Sequence, residues 1–182
     1  MRHSKPGRLV AQTALKGNDM TAFHESRAQG PKADVYAELL RQAKGLFDAE
    51  TDVVANAANL SALLAYHLEG LNWAGLYFTK GPELVLGPFQ GKPACVRIAV
   101  GKGVCGTAVA RRASVLVPDV HAFPGHIACD EASRSELVVP LLRGAEVLGV
   151  IDLDSPRVAR FDADDRQGVE ALAAAYVAAC AW

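Results

Sequence analysis

Two glycine-centred breaks between short β-rich runs constrain this chain more than any other feature. Lys80-Gly81-Pro82 separates LNWAGLYF (71–78) from ELVLGPF (83–89), and Arg143-Gly144-Ala145 separates LVVPLL (137–142) from VLGVIDLD (147–154). Runs this short, joined by so few residues, can only double back as hairpins. CVRIAV (95–100) and SVLVPDV (114–120) add two more short strands, with one or two helical turns, TAVARR, between them. The flanks are helical. Val35, Leu39, Leu40, Leu46 and Phe47 recur at the helical period from Ala33 onward. A second pattern follows Thr51-Asp52, an N-cap region, and carries Val53, Val54, Ala57, Leu60, Leu63, Leu64 and Leu68 to an expected stop at Gly70. FDADD then opens an Ala-rich C-terminal helix with acids at its positive end. The order ααβββαβββα, with hairpins in place of βαβ crossovers, predicts an α+β domain: an antiparallel sheet flanked by helices.

Residues 1–32 lack periodicity and end at Gly30-Pro31, so they are expected to be a flexible N-terminal tail ahead of a single domain at 33–182. Nineteen Lys and Arg against twenty Asp and Glu leave no basic excess for a nucleic acid to use. No apolar run approaches a membrane span, and the N-terminus has no secretory h-region. A reducing cytoplasm is therefore the expected compartment, where four cysteines are not expected to be structural disulfides. Cys180, near the end of an apolar helix, suits an idle thiol. Cys95, Cys105 and Cys129 fall within 35 residues and show neither CxxC nor zinc-finger spacing, so no metal is expected there. Cys129 sits in PGHIACDEASRSE, too polar for core. Its activation would require a nearby cation such as His126, or N–H donors, against the opposing charge of Asp130 and Glu131. Cys105, in GKGVCGTA, has small neighbours that admit a second thiol or another chain segment.

A carboxylate cluster is the second signal. Asp152 and Asp154 share a strand face and continue a row begun by Leu148 and Val150. A three-residue turn at Arg143-Gly144-Ala145 would pair Leu142 with Glu146 and set Glu136 opposite Asp152 on the same face, whereas a two-residue turn would flip Glu136 away. Three such acids repel unless a cation lies among them or one keeps its proton. The cation would be a divalent metal or a substrate ammonium; acids that merely finish the strands are the remaining reading. Trp73 and Tyr77, four apart on one strand, share a face, as a pocket wall or as a core stripe.

The segments GPFQGKPACVRIAVGKGVCGTA, VPDVHAFPGHIACDEASRSELVVPL and GVIDLDSP resemble the free methionine-R-sulfoxide reductases, a GAF-domain family, over about residues 35–175. The resemblance implies a GAF-like fold, a homodimer, and an oxidoreductase with no bound cofactor. It implies that Cys129 attacks the sulfur of free methionine-R-sulfoxide, that Cys105 resolves the resulting sulfenic acid with Cys95 as the backup or in the reverse order, and that thioredoxin, fed by NADPH, reduces the disulfide. Glu136, Asp152 and Asp154 match the acids that hold the substrate and help protonate its oxygen. Trp73 and Tyr77 match the walls around its side chain. The alternative is a GAF module without catalysis that binds a small molecule or senses redox state.

Overall fold

The computed structural model describes residues 27–127 and 130–182. Cys129 and the first 26 residues of the expected tail lie outside the described residues. The elements run α1 (Lys32–Phe47), α2 (Val53–His67), β1 (Trp73–Lys80), β2 (Glu83–Gly91), β3 (Arg97–Ala99), α3 (Gly103–Arg111), β4 (Val115–Val117), a single 3-10 turn at Val120–Ala122, β5 (Ser135–Arg143), β6 (Glu146–Ser155) and α4 (Ala163–Ala179). All strand pairs are antiparallel, in the order β3-β2-β1-β6-β5-β4. This is the α+β arrangement expected from the hairpins, and both hairpins form. None of the helices among the described residues is long and apolar enough to cross a membrane.

Helix boundaries follow from their caps. The Asp52 carboxylate accepts from the N–H groups of Val54 and Ala55 and starts α2. At α4, Asp162 and Asp165 form a reciprocal capping box. Helix α2 stops at His67, short of the expected Gly70. Leu68 is already extended, and Gly70 (φ +76°) turns the chain two residues later.

Strand alternation splits the interior in two. Ala74, Leu76, Leu137, Val139, Ile151 and Leu153 point to one face, where α2 and α4 cover them and α1 packs on those two helices. Trp73, Tyr77, Val138 and Val150 point to the other, beneath α3 and its loops. The second face carries the polar residues of interest.

The β5–β6 hairpin corrects one expectation. Arg143 pairs with Glu146, so the turn has two residues, with Gly144 left-handed (φ +57°). Such a turn alone would send Glu136 to the helix face. A bulge at Leu141/Leu142 absorbs one residue of β6, and beyond it Glu136 faces Asp154 and Val138 faces Asp152. Glu136 thus keeps the expected face but not the expected partner. The same bulge sends Leu148 into the helix-side core while Val150 stays on the opposite face, so the row of Leu148, Val150, Asp152 and Asp154 is broken at its first member.

Gly168 looks like a weak point inside α4. A Cβ there would lie only 2.1 Å from Cγ of Tyr36, the ring that packs α1 onto α4 and donates its hydroxyl to buried Asp165 at 2.9 Å. Gly168→Ala gains about 1 kcal/mol of helix propensity but must push this ring aside. A net destabilisation of about 1–3 kcal/mol is expected, to be read as a lower urea midpoint with unchanged slope; a higher midpoint would show that the ring is free to move.

Candidate active site

Strand pairing assembles the site by rows. One row across the sheet runs Gly91, Trp73, Asp154, Glu136 and Val117, and the next runs Phe89, Gly75, Asp152, Val138 and Val115. Two acids are therefore direct cross-strand neighbours and the third lies one pleat along, a spacing at which side chains touch. Helix α3 supplies the roof. Gly106 lets it approach so closely that a Cβ would lie 2.4 Å from the Ala99 carbonyl oxygen, and the Gly101 N–H reaches the Gly106 carbonyl at 2.8 Å. The small neighbours of Cys105 thus admit the β3 backbone, and the closeness seats Cys105 over Asp152.

Cys105, Glu136 and Asp152 are buried, with one ligand atom from each lying within 4.8 Å of the others. Glu136 and Asp152 hydrogen-bond to each other, and the Cys105 thiol bonds Asp152. Oδ1 of Asp152 has no hydrogen-bond partner among the described residues. Burial raises all three carboxyls well above the usual carboxylate range. Asp154 adds to the rise at Glu136, Glu136 at Asp152, and Asp152 at Asp154. Burial, then Asp152, likewise raises the Cys105 thiol. The arrangement holds protons and offers negative charge, a combination suited to a cationic ligand and a proton transfer.

The cavity under α3 has a volume of about 30 Å³ and is lined by Val104, Cys105, His126, Ser133 and the three acids, among others. A smaller one of about 10 Å³ between Trp73, Tyr77 and the Lys92–Ala94 segment shares Asp130, Asp152 and Asp154 with it. The larger has room for one or two waters and the smaller for one at most. The Trp73 ring stacks on Phe89 (5.3 Å) and Tyr77 (5.8 Å); Trp73 and Tyr77 belong to the buried core of this face and also line the smaller cavity. Gly75 makes the stacking possible: a Cβ there would fall 2.5 Å from the Trp73 ring.

The cysteines differ in state. Cys105 and Cys180 are free thiols, whereas Cys95 is disulfide-bonded. Tyr77 donates its hydroxyl to the Cys95 carbonyl (3.0 Å), and the Trp73 indole N–H donates to the Lys92 carbonyl (3.1 Å). The Cys95 segment is thereby fixed to the aromatic wall. His126 Nε2 lies 3.6 Å from Glu136, and burial lowers its pKa, which disfavours the charged form that one of the two activation routes for Cys129 would need.

Three contributors escaped the sequence reading. Asn72 donates to Asp130 (3.1 Å) and to Ser133 (3.0 Å), and Ser133 hydrogen-bonds Asp154. Lys92 reaches Asp130 at 3.2 Å and ties the two segments that border the cavities. A polar residue directly before an apolar strand was the available signal for Asn72, and a glycine inside a strand was that for Gly75.

Residues 37–179 match the GAF domain, which makes the chain a GAF-domain protein. Over 143 residues it is 52% identical to the free methionine-R-sulfoxide reductase of Escherichia coli, covering 79% of this chain and 87% of that protein. Over 147 residues it is 52% identical to protein YtsP of Bacillus subtilis, covering 80% and 90%. The structure of free methionine-R-sulfoxide reductase from Neisseria meningitidis, in complex with its substrate, superposes with a TM-score of 0.81 at 44% identity, over 84% of this chain and 92% of that one. The chain belongs to the free methionine-R-sulfoxide reductase family.

The raised carboxyls carry a stability consequence. Their ionised forms are penalised in the folded state, so the stability they permit is complete below the ordinary carboxylate range and declines as pH rises toward the folded values. Asp152→Asn removes one of these charges. It should raise Tm at pH 7 by about 2–4 °C, equivalent to about 1 kcal/mol at this chain length, with the gain vanishing near about pH 3.5. Thermal melts across that range test this; a lower Tm at neutral pH would mean that the ionised carboxylate is stabilising.

Proposed function

We propose that this protein reduces free L-methionine (R)-S-oxide to L-methionine with its own thiols. The observation that carries the reading is the buried, mutually hydrogen-bonded pair Glu136 and Asp152, with Asp154 beside it and the Trp73–Tyr77 wall along one side. A free amino acid presents an ammonium group, which clustered carboxylates bind. A methionine inside a polypeptide has lost that group to a peptide bond. A carboxyl that keeps its proton at neutral pH can transfer it to the sulfoxide oxygen as the S–O bond breaks.

In this reading Cys129 is the nucleophile. Its sulfur attacks the sulfoxide sulfur; the substrate S–O bond breaks as the oxygen passes to the Cys129 sulfur, forming a sulfenic acid, and methionine leaves with the electron pair of the transient S–S bond. A second thiol then displaces that oxygen as water, forming a disulfide. Two electrons from an external dithiol return both cysteines to thiols, completing a cycle that converts sulfoxide and dithiol into methionine, disulfide and water. No bound cofactor takes part. Thioredoxin, kept reduced through NADPH, is the proposed dithiol; a homodimer in the cytoplasm is the proposed setting.

The disulfide at Cys95 and the protonated, buried thiol of Cys105 favour Cys95 as the first resolving residue, the reverse of the order preferred from the resemblance. Cys105 then serves chiefly as a hydrogen-bond partner of Asp152.

The test is an assay with thioredoxin, thioredoxin reductase and NADPH, each sulfur epimer being supplied both free and within a peptide. Turnover is expected with the free R epimer alone. Cys129→Ser should abolish it. Cys95→Ser should leave close to one equivalent of methionine per protein, followed by slow cycling, while Cys105→Ser should retain multiple turnover. Full turnover by Cys129→Ser would overturn the assignment, and a single-turnover limit in Cys105→Ser with rapid cycling in Cys95→Ser would restore the original order.

A further inference from the structure

We propose that Cys105, Glu136 and Asp152 form a binding site for a borderline-soft divalent cation of the zinc class, and that its occupancy competes with the ammonium group of the substrate. The inhibitory half rests on the reductase reading; the binding half rests on the geometry alone.

The three residues come from α3, β5 and β6, so a helix and two central strands fix their backbones. Their ligand atoms lie within 4.8 Å of one another. This spacing permits one ion to touch all three after small side-chain adjustments, since zinc binds sulfur at about 2.3 Å and oxygen at about 2.0–2.2 Å. An independent observation points to a missing partner. Asp152 is 6% exposed, yet its Oδ1 finds no hydrogen-bond donor among the described residues, and the residue lines the 30 Å³ cavity. A buried carboxylate oxygen with no donor is a costly arrangement that a cation would relieve. The cavity holds one ion with a water, so the site needs no enlargement.

The donor set selects the metal. Magnesium and calcium seek six or more oxygens, whereas one sulfur and two carboxylates suit a four-coordinate zinc, cobalt(II) or cadmium ion. The fourth position would be filled from the cavity, at whose edge His126 stands with Nε2 3.6 Å from Glu136. Binding involves no redox change. The ion takes the lone pairs of the Cys105 sulfur and of both carboxylates, while the thiol proton and the proton held between Glu136 and Asp152 pass to solvent. Two positive charges replace two protons at the point where an amino group would otherwise be received, so metal and substrate exclude each other.

The full-length Cys95→Ser/Cys129→Ser variant, reduced with a phosphine, isolates the site from the redox thiols. Cobalt(II) should bind with one thiolate-to-cobalt charge-transfer band, and zinc should displace it. Adding Cys105→Ser should remove the band and weaken zinc at least tenfold in competition with a chromophoric chelator; adding Asp152→Asn should also weaken zinc tenfold. Millimolar magnesium should not compete. A band and affinity that survive Cys105→Ser, in a protein whose melting curve shows it folded, would overturn the site. In the wild-type enzyme zinc should raise the apparent KM for the sulfoxide and leave kcat unchanged. Zinc binding without this effect would overturn the competition, while absent turnover in metal-free enzyme would count against the reductase reading and leave the binding result standing.

Discussion

Three carboxyl groups brought together on a buried sheet face oppose one another, and much of the second half of this fold serves to hold them there. Burial and mutual repulsion both favour the neutral forms. Antiparallel pairing leaves no alternative: Glu136 and Asp154 are cross-strand partners, with Asp152 one pleat away. The helix-side core, in which Leu137, Ile151 and Leu153 are fully buried, supplies the hydrophobic stabilisation that keeps these strands in register. Each of those apolar residues alternates with one of the acids. The same two strands therefore concentrate stability on one face and electrostatic cost on the other, a division familiar where a fold tolerates a strained binding site.

The elements were legible in the sequence because hairpin glycines and helical periodicity act locally. The order of helices and strands, the Asp52 and Asp162 starts, and the gathering of Trp73, Tyr77, Glu136, Asp152 and Asp154 on one face all follow from spacings of a few residues. Register was harder. The turn at Gly144 has two residues where three were expected, and the bulge beside Leu141 compensates by moving Leu148 to the other face. Two deviations of one residue each keep the acids on the face that the simpler pairing would have given, while moving Glu136 from opposite Asp152 to opposite Asp154. Parity along a strand is thus more robust to inference than partner identity.

What escaped inference depends on distant approach. Nothing local in GKGVCGTA says that the β3 backbone fills the space beside Gly106, or that Cys105 consequently rests on Asp152. Asn72 gains its role only because the chain returns with Asp130 and Ser133 some sixty residues later. Gly168, by propensity a defect, is the recess that receives the Tyr36 ring. His126 shows the converse: its nearness to Cys129 in the sequence made it a cation candidate, and burial lowers its pKa against the charged form.

The two aromatic side chains that border the smaller cavity also grip, through their N–H and O–H groups, the carbonyls of Lys92 and Cys95. In the proposed cycle, ligand fit and thiol placement are thereby mechanically joined. Reshaping this wall to admit a bulkier sulfoxide would loosen the clamp on the neighbouring loop, so a variant selected for broader scope would forfeit recycling speed unless a new donor took over one of those carbonyls.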